Sequence, residues 1–112
     1  MKKRKIVIAP DKFKGSLNSF DICRIISDTL SKSLTGVETL AFPMADGGDG
    51  FATVLGNYLH TETIICNTTD PLGRPLTATY EWDENTSTAV IELAAASGLA
   101  LLKKNEQNPL HT

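Results

Sequence analysis

The chain has 112 residues, 41% hydrophobic and 21% charged, with a formal net charge of −2. That is room for one modest domain of ordinary globular composition, far from the disordered regime. It excludes the concentrated positive charge on which nucleic-acid and membrane-surface binding depend, so neither partner is expected.

The basic start, Lys2-Lys3-Arg4-Lys5, reads as a solvated terminus flanking a strand. Lys5 to Ala9 is short, β-branched and apolar without alternation, the pattern of a strand buried on both faces of a parallel sheet. Pro10 and Asp11 halt that run too soon for a signal peptide, and no stretch approaches a membrane span. A cytoplasmic location is the expectation that follows. After a polar loop, Asn18 or Ser19 can cap a helix that runs to about Leu34, with Asp21 in its first turn. Phe20, Cys23, Ile26, Leu30 and Leu34 share one face of it, widened by Ile22 and Ile25, while Arg24, Ser27, Asp28 and Ser31 keep the other face polar. Gly36 suits the end of that helix.

Val37 to Phe42 is a second strand, and strand–helix–strand order predicts a parallel pair. A glycine-rich turn, Met44-Ala45-Asp46-Gly47-Gly48-Asp49-Gly50, leads into a helix over about Phe51 to Leu59, and Ile64 to Cys66 suggests a third strand. Asp70-Pro71-Leu72-Gly73-Arg74-Pro75 marks a turn or a crossing between substructures. Leu76 to Trp82 and Thr88 to Leu93 read as a hairpin around Asp83-Glu84-Asn85-Thr86. Ala94 to Gly98 can open a short helix, and the tail from Lys103 is polar with no final core element. Cys23 and Cys66, far apart and without a CxxC, are expected to be buried, reduced thiols.

The fold class is therefore α/β, beginning with a Rossmann-like parallel β-α-β unit. In such a sheet the loops leaving the C-terminal strand ends share one edge, where ligands bind. The first loop supplies Asp11, Lys12, Lys14 and Ser16; the second supplies Asp46, Gly47, Gly48 and Asp49. Glycines let backbone N–H groups approach an anion closely, while carboxylates repel a bare phosphate. A Mg²⁺ between carboxylate and phosphate, or hydrogen bonds from substrate hydroxyls, removes the conflict. A carboxylate can also take the proton of an attacking hydroxyl, and Lys14 can offset phosphoryl charge or bind a substrate carboxylate. These are parts for phosphoryl transfer to a small hydroxy acid. The same residues also serve as ordinary turn chemistry and as a helix-stabilising acid at Asp49. Arg74 can clamp an anion or pair with an acid. Glu92 can be a site residue or a satisfied partner, and Ser97 a cap or turn residue. His60 and His111 lack metal-ligand companions and read as surface residues.

The ordered motifs Ile6 to Ser16, Pro43 to Gly50, Pro71 to Pro75, Ile91 to Leu99 and Asn108-Pro109-Leu110 with Thr112 resemble the bacterial glycerate kinases. The resemblance implies ATP-dependent phosphorylation of D-glycerate to 2-phosphoglycerate, or in some assignments 3-phosphoglycerate, with Mg²⁺. It implies a two-domain protein, with residues 1–69 as the start of a Rossmann-like domain and 70–112 as the start of a second α/β domain. Asp11, Lys14 and Asp46 are then the catalytic candidates. Ser16, Gly47, Gly48, Asp49, Arg74 and Ser97 are candidates for substrate or phosphate contact. The chain departs from the family in carrying Asp49 where Glu is usual. It also lacks the family's later segment resembling Gly-Gly-Ser-Ala-Thr-Asn-Asp-Gly-Gly, so it is expected to be the N-terminal portion of a longer kinase, inactive alone. Two other readings compete. Asp11 could be the phosphorylated nucleophile of a Mg²⁺-dependent phosphatase, although Phe13 stands where a second Asp belongs. Alternatively, an incomplete sheet with unpaired edges could make the chain a non-catalytic module that pairs with another copy.

Overall fold

In the computed structural model, which describes residues 2–112, the α/β class holds as a parallel pair followed by an antiparallel three-stranded sheet. Contacts divide the chain after Asp46 into two units. In the first, β1 (Arg4–Ile8) pairs in parallel with β2 (Val37–Ala41), Ile6 opposite Thr39 and Ile8 opposite Ala41. The crossing is α1 (Ser19–Ser33). Asn18 caps it, its side-chain oxygen accepting the Asp21 N–H at 2.9 Å. Leu34 ends it in an extended conformation, and Gly36 then takes a left-handed φ of 68° that feeds the chain into β2.

Ile8, Ile22 and Cys23 form the buried centre of this unit, with Ser19 beside them. The expected apolar stripe is only partly covered, since Ile25 and Ile26 are exposed. Two strands present a narrow surface, so a helix stripe widened by Ile25 finds too little sheet to pack on. Ser27, read as part of the polar face, instead shares a 2.6 Å hydrogen bond with Thr39 of β2. Cys23 is buried, and burial pushes its thiol up despite a backbone hydrogen bond from Phe42. Cys66 is free but only half-buried.

The second unit, Gly47–Thr112, contains α2 (Phe51–Leu59), β3 (Glu62–Thr69), β4 (Pro75–Asp83), β5 (Thr88–Val90) and the short α3 (Ala94–Ser97). The sheet order is β3-β4-β5, antiparallel throughout. The contact division falls at 46/47. The turn from Asp70 to Arg74 joins β3 to β4 as a hairpin, with Thr69 opposite Pro75. A proline- and glycine-rich stretch signals reversal of the chain, and only strand pairing decides whether the reversal joins two strands or two domains. The β4–β5 hairpin is as read, but β5 stops at Val90, and Ile91 and Leu93 beyond it are exposed.

Helix α2 lies close to β4 because Gly56 permits it. A Cβ there would stand 2.6 Å from Thr61 Oγ1 and 2.9 Å from Glu81 Cγ. Those two side chains are hydrogen-bonded at 2.8 Å, and Thr63 donates to the same carboxylate at 2.9 Å. His60 closes α2 in the left-handed conformation. Ala52, Val54, Ala78, Val90 and Leu102 are the buried apolar residues of this unit, Leu102 being the last before the polar tail. Buried Asp83 accepts from Asn85 N–H at 3.0 Å and from the Thr86 hydroxyl at 2.6 Å. Among the described residues, no helix is long and apolar enough to cross a membrane.

Candidate active site

In the first unit, the pairing of β1 with β2 continues beyond the strands proper. Phe42 N–H donates to Ile8 O at 2.8 Å and Met44 N–H to Pro10 O at 3.0 Å. The two exit loops are thereby laid side by side, and the residues they carry meet. Lys12 Nζ stands 3.2 Å from Asp46 Oδ1 and 3.9 Å from Asp11 Oδ1, while the Lys12 backbone N–H donates to that same Asp11 oxygen at 2.7 Å. The Lys12 side chain is 22% exposed and that of Asp46 is 64% exposed. Beyond Lys12 the chain closes on itself: Ser16 N–H donates to Phe13 O and Phe13 N–H donates to Leu17 O, both at 2.9 Å. Gly15 makes this turn possible with a φ of 72°. Lys14 and Ser16 sit on the turn, both exposed.

The structure therefore joins Asp11 to Asp46 as expected, but the ammonium between them belongs to Lys12. Sequence reading noticed Lys12 and preferred Lys14. No sequence pattern separates the two, because the choice depends on the path taken after Pro10.

In the second unit, the glycine turn leads into α2, whose N-cap Gly50 has a φ of 88° and no side chain with which to cap the helix. The cap comes from Glu92, whose Oε1 accepts Gly50 N–H and whose Oε2 accepts Ala52 N–H, each at 3.1 Å. Two N–H groups of the helix start, expected to face an anionic ligand, are thus held by the protein's own carboxylate. Asp49 is exposed and, among the described residues, makes no hydrogen bond or ion pair. The helix-stabilising role considered for Asp49 is filled by Glu92. A signal for this was present: a helix start with glycine at the cap and no acid in its first turn leaves its N–H groups to water or to a partner from elsewhere.

Arg74 is committed to two carboxylates. Its Nε donates to Asp70 Oδ2, and its Nη1 and Nη2 donate to Glu106 at 2.9 and 3.3 Å. Burial pushes the Asp70 carboxyl up, but hydrogen bonds from the Arg74 N–H, the Arg74 guanidinium and the Leu72 N–H outweigh it and hold Asp70 below the usual carboxylate range. Glu106 is likewise held low, by the Lys103 N–H and then by Arg74, and these partners raise the guanidinium in turn. This fork ties the β3–β4 turn to the 3-10 turn Lys104–Glu106. Ser97 is exposed at the end of α3, its N–H bonded to Leu93 O. Among the described residues, no group of three or more His, Cys, Asp or Glu side chains could hold a metal ion.

Comparison with known proteins bears on all of these residues together. The model of the glycerate kinase family matches residues 6–112. A glycerate kinase of Bacillus subtilis (strain 168) is 39% identical over 96% of the chain, and a glycerate 2-kinase of Escherichia coli (strain K12) is 33% identical over 96%. A crystal structure from Salmonella typhimurium LT2, of a protein assigned as glycerate kinase 2, superposes with a TM-score of 0.75 at 33% identity and covers 96% of this chain. The chain spans about 28% of the length of these curated relatives and 29% of the solved structure.

Proposed function

The chain belongs to the glycerate kinase family, and from that premise we propose that it takes part in ATP-dependent phosphorylation of D-glycerate to 2-phosphoglycerate, or to 3-phosphoglycerate, as the N-terminal portion of a longer kinase. The family match over residues 6–112 carries this reading. The geometry of the first unit supports it, since the loops leaving both parallel strands run side by side and bring two carboxylates to one ammonium.

In this reading, Asp11 or Asp46 accepts the proton of the glycerate hydroxyl as it attacks. Lys12 bridges those carboxylates and holds them in place between the loops. Lys14, exposed on the adjoining turn, meets the substrate carboxylate or the transferred phosphoryl group. Ser16, Gly47, Gly48 and Ser97 remain candidates for substrate contact. Arg74 is left out of the chemistry, because a substrate anion would have to displace both Asp70 and Glu106 to reach it.

Mg²⁺ is bound by one or two carboxylates beside the nucleotide's phosphates and keeps water for the rest, so it does not need an all-protein cage. Asp46 and Asp49 are each the hard oxygen donor that such a site uses. When bound, the ion supplies charge neutralisation on the phosphoryl oxygens.

The test is to incubate the 112-residue chain with D-glycerate, Mg²⁺ and ATP, alone and together with the remaining region of a longer family member. Phosphoglycerate is expected in the second mixture and not in the first. No product in either, with both pieces folded, would overturn the proposal.

A further inference from the structure

We propose that Glu92 is a positioning residue for the acidic glycine turn, clamping its backbone so that Asp49 is held at the surface with its carboxylate uncommitted. The inference rests on the kinase reading above and deepens it, by assigning a role to a side chain in a different motif.

The turn cannot hold itself. Gly47 and Gly50 have φ values of 96° and 88°, and no atom lies within 4 Å of where a Cβ would stand on either. They are needed for backbone angle, not for lack of space, and glycine is the residue with the most freedom to lose. Helix α2 brings no capping side chain and no acid in its first turn. Glu92 supplies what is missing with both oxygens at once, on Gly50 at the cap and on Ala52 two residues inside. Hydrogen bonds to an ionised acceptor are about twice as strong as neutral ones. The clamp is rooted where β5 passes into α3, because the Glu92 carbonyl accepts Ala95 N–H at 3.1 Å.

The consequence is a division of labour between two acids. Asp49 sits next to the cap residue, where an acid commonly serves the helix. Glu92 already holds that position, so Asp49 need not. Without Glu92, the carboxylate adjacent in sequence to the α2 cap is Asp49, and the turn would both loosen and lose its outward acid. The same clamp sets the polarity of the turn. With Glu92 across the helix start, the turn suits a cation or a hydroxyl and disfavours a bare anion.

The test uses the 112-residue chain as wild type, Glu92→Ala, Glu92→Gln and, as a control, Thr53→Gly, which weakens α2 at an exposed position that Glu92 does not hydrogen-bond. Amide exchange and NMR order parameters are read. Exchange at Gly50 and Ala52 should speed up about fivefold to tenfold in Glu92→Ala, the size of one lost helix cap. Order parameters across Gly47 to Gly50 should fall, with Glu92→Gln in between because one acceptor oxygen remains. Thr53→Gly should speed exchange along α2 and leave the turn ordered. A turn equally ordered in Glu92→Ala, or equally loosened in Thr53→Gly, would overturn the clamp. Should Glu92→Ala fail to fold, Glu92→Gln carries the same comparison. With the remaining region of a longer relative supplied, Glu92→Ala combined with Asp49→Asn should be no slower than Asp49→Asn alone. Additive losses would show that Glu92 does not act through Asp49. If the wild-type mixture makes no phosphoglycerate, the kinase reading falls, while the order parameters still decide whether Glu92 holds the turn.

Discussion

The two helices begin in opposite ways. Helix α1 is capped from within its own turn, by Asn18 on the N–H of Asp21 three residues on. Helix α2 is capped by Glu92, 42 residues along the chain from Gly50. A local cap lets a helix start form as soon as its own sequence is present, whereas a distant cap makes the start conditional on the fold. The charge of the units differs in the same direction as their contents. Residues 1–46 carry eight of the eleven Lys and Arg against five acids, and residues 47–112 carry three against eight. The strand-exit loops are themselves balanced, Lys12 and Lys14 against Asp11 and Asp46; the basic excess of the first unit lies in its N-terminal run, and the glycine turn offers a further acid, Asp49.

Several substitutions would break or sharpen that contrast. The largest effect is expected on catalysis. Lys14→Met should lower phosphoglycerate formation in the reconstituted mixture about a hundredfold, as loss of a charge-stabilising donor does. Lys12→Met should cost less, and a reversed order would transfer the chemical role to the lysine that bridges the carboxylates. Next comes the first core: Ile22, 3% exposed, becomes a cavity in Ile22→Ala, which should cost about 2–5 kcal/mol by urea denaturation. In the second unit, Gly56→Ala forces a methyl into Thr61 and Glu81 and should cost about 1–3 kcal/mol, read the same way.

Smaller effects test the caps and the fork. Asn18→Ala should cost about 1 kcal/mol, with faster amide exchange confined to the first turn of α1. The smallest is the acid response of Asp70 and Glu106. Their carboxyls are held low in the fold, so their contribution is complete above the ordinary carboxylate range, near about pH 4. It is lost as pH falls from there through the depressed values. Arg74→Gln should therefore flatten the acid limb of a thermal-stability profile. An unchanged limb would mean the fork adds nothing to acid stability.

What could be read without coordinates was whatever depends on neighbours in the chain. The β-branched run before Pro10 marked β1, the Asn18–Asp21 start marked α1, and the stretch Phe51–Leu59 was placed to the residue. The order of motifs pointed to the family. Three features stayed out of reach. The stripe on α1 gave no sign of how few strands would cover it. The turn at Asp70 to Pro75 looked the same whether it joined domains or strands. Glu92, between two apolar residues, read equally well as buried or as functional.

Composition and local pattern alone determined the kind and order of the strands, helices and turns, because those depend on backbone preference and side-chain spacing within a few residues, although β3, read from Ile64, begins at Glu62. Tertiary structure alone decided that Lys12 lies between Asp11 and Asp46, that β3 turns back on β4, and that Glu92 closes α2. Each of these is a contact between groups far apart in sequence. Such contacts are chosen by the geometry of strand pairing and by the need to satisfy N–H groups and charges, which no short stretch of chain can express.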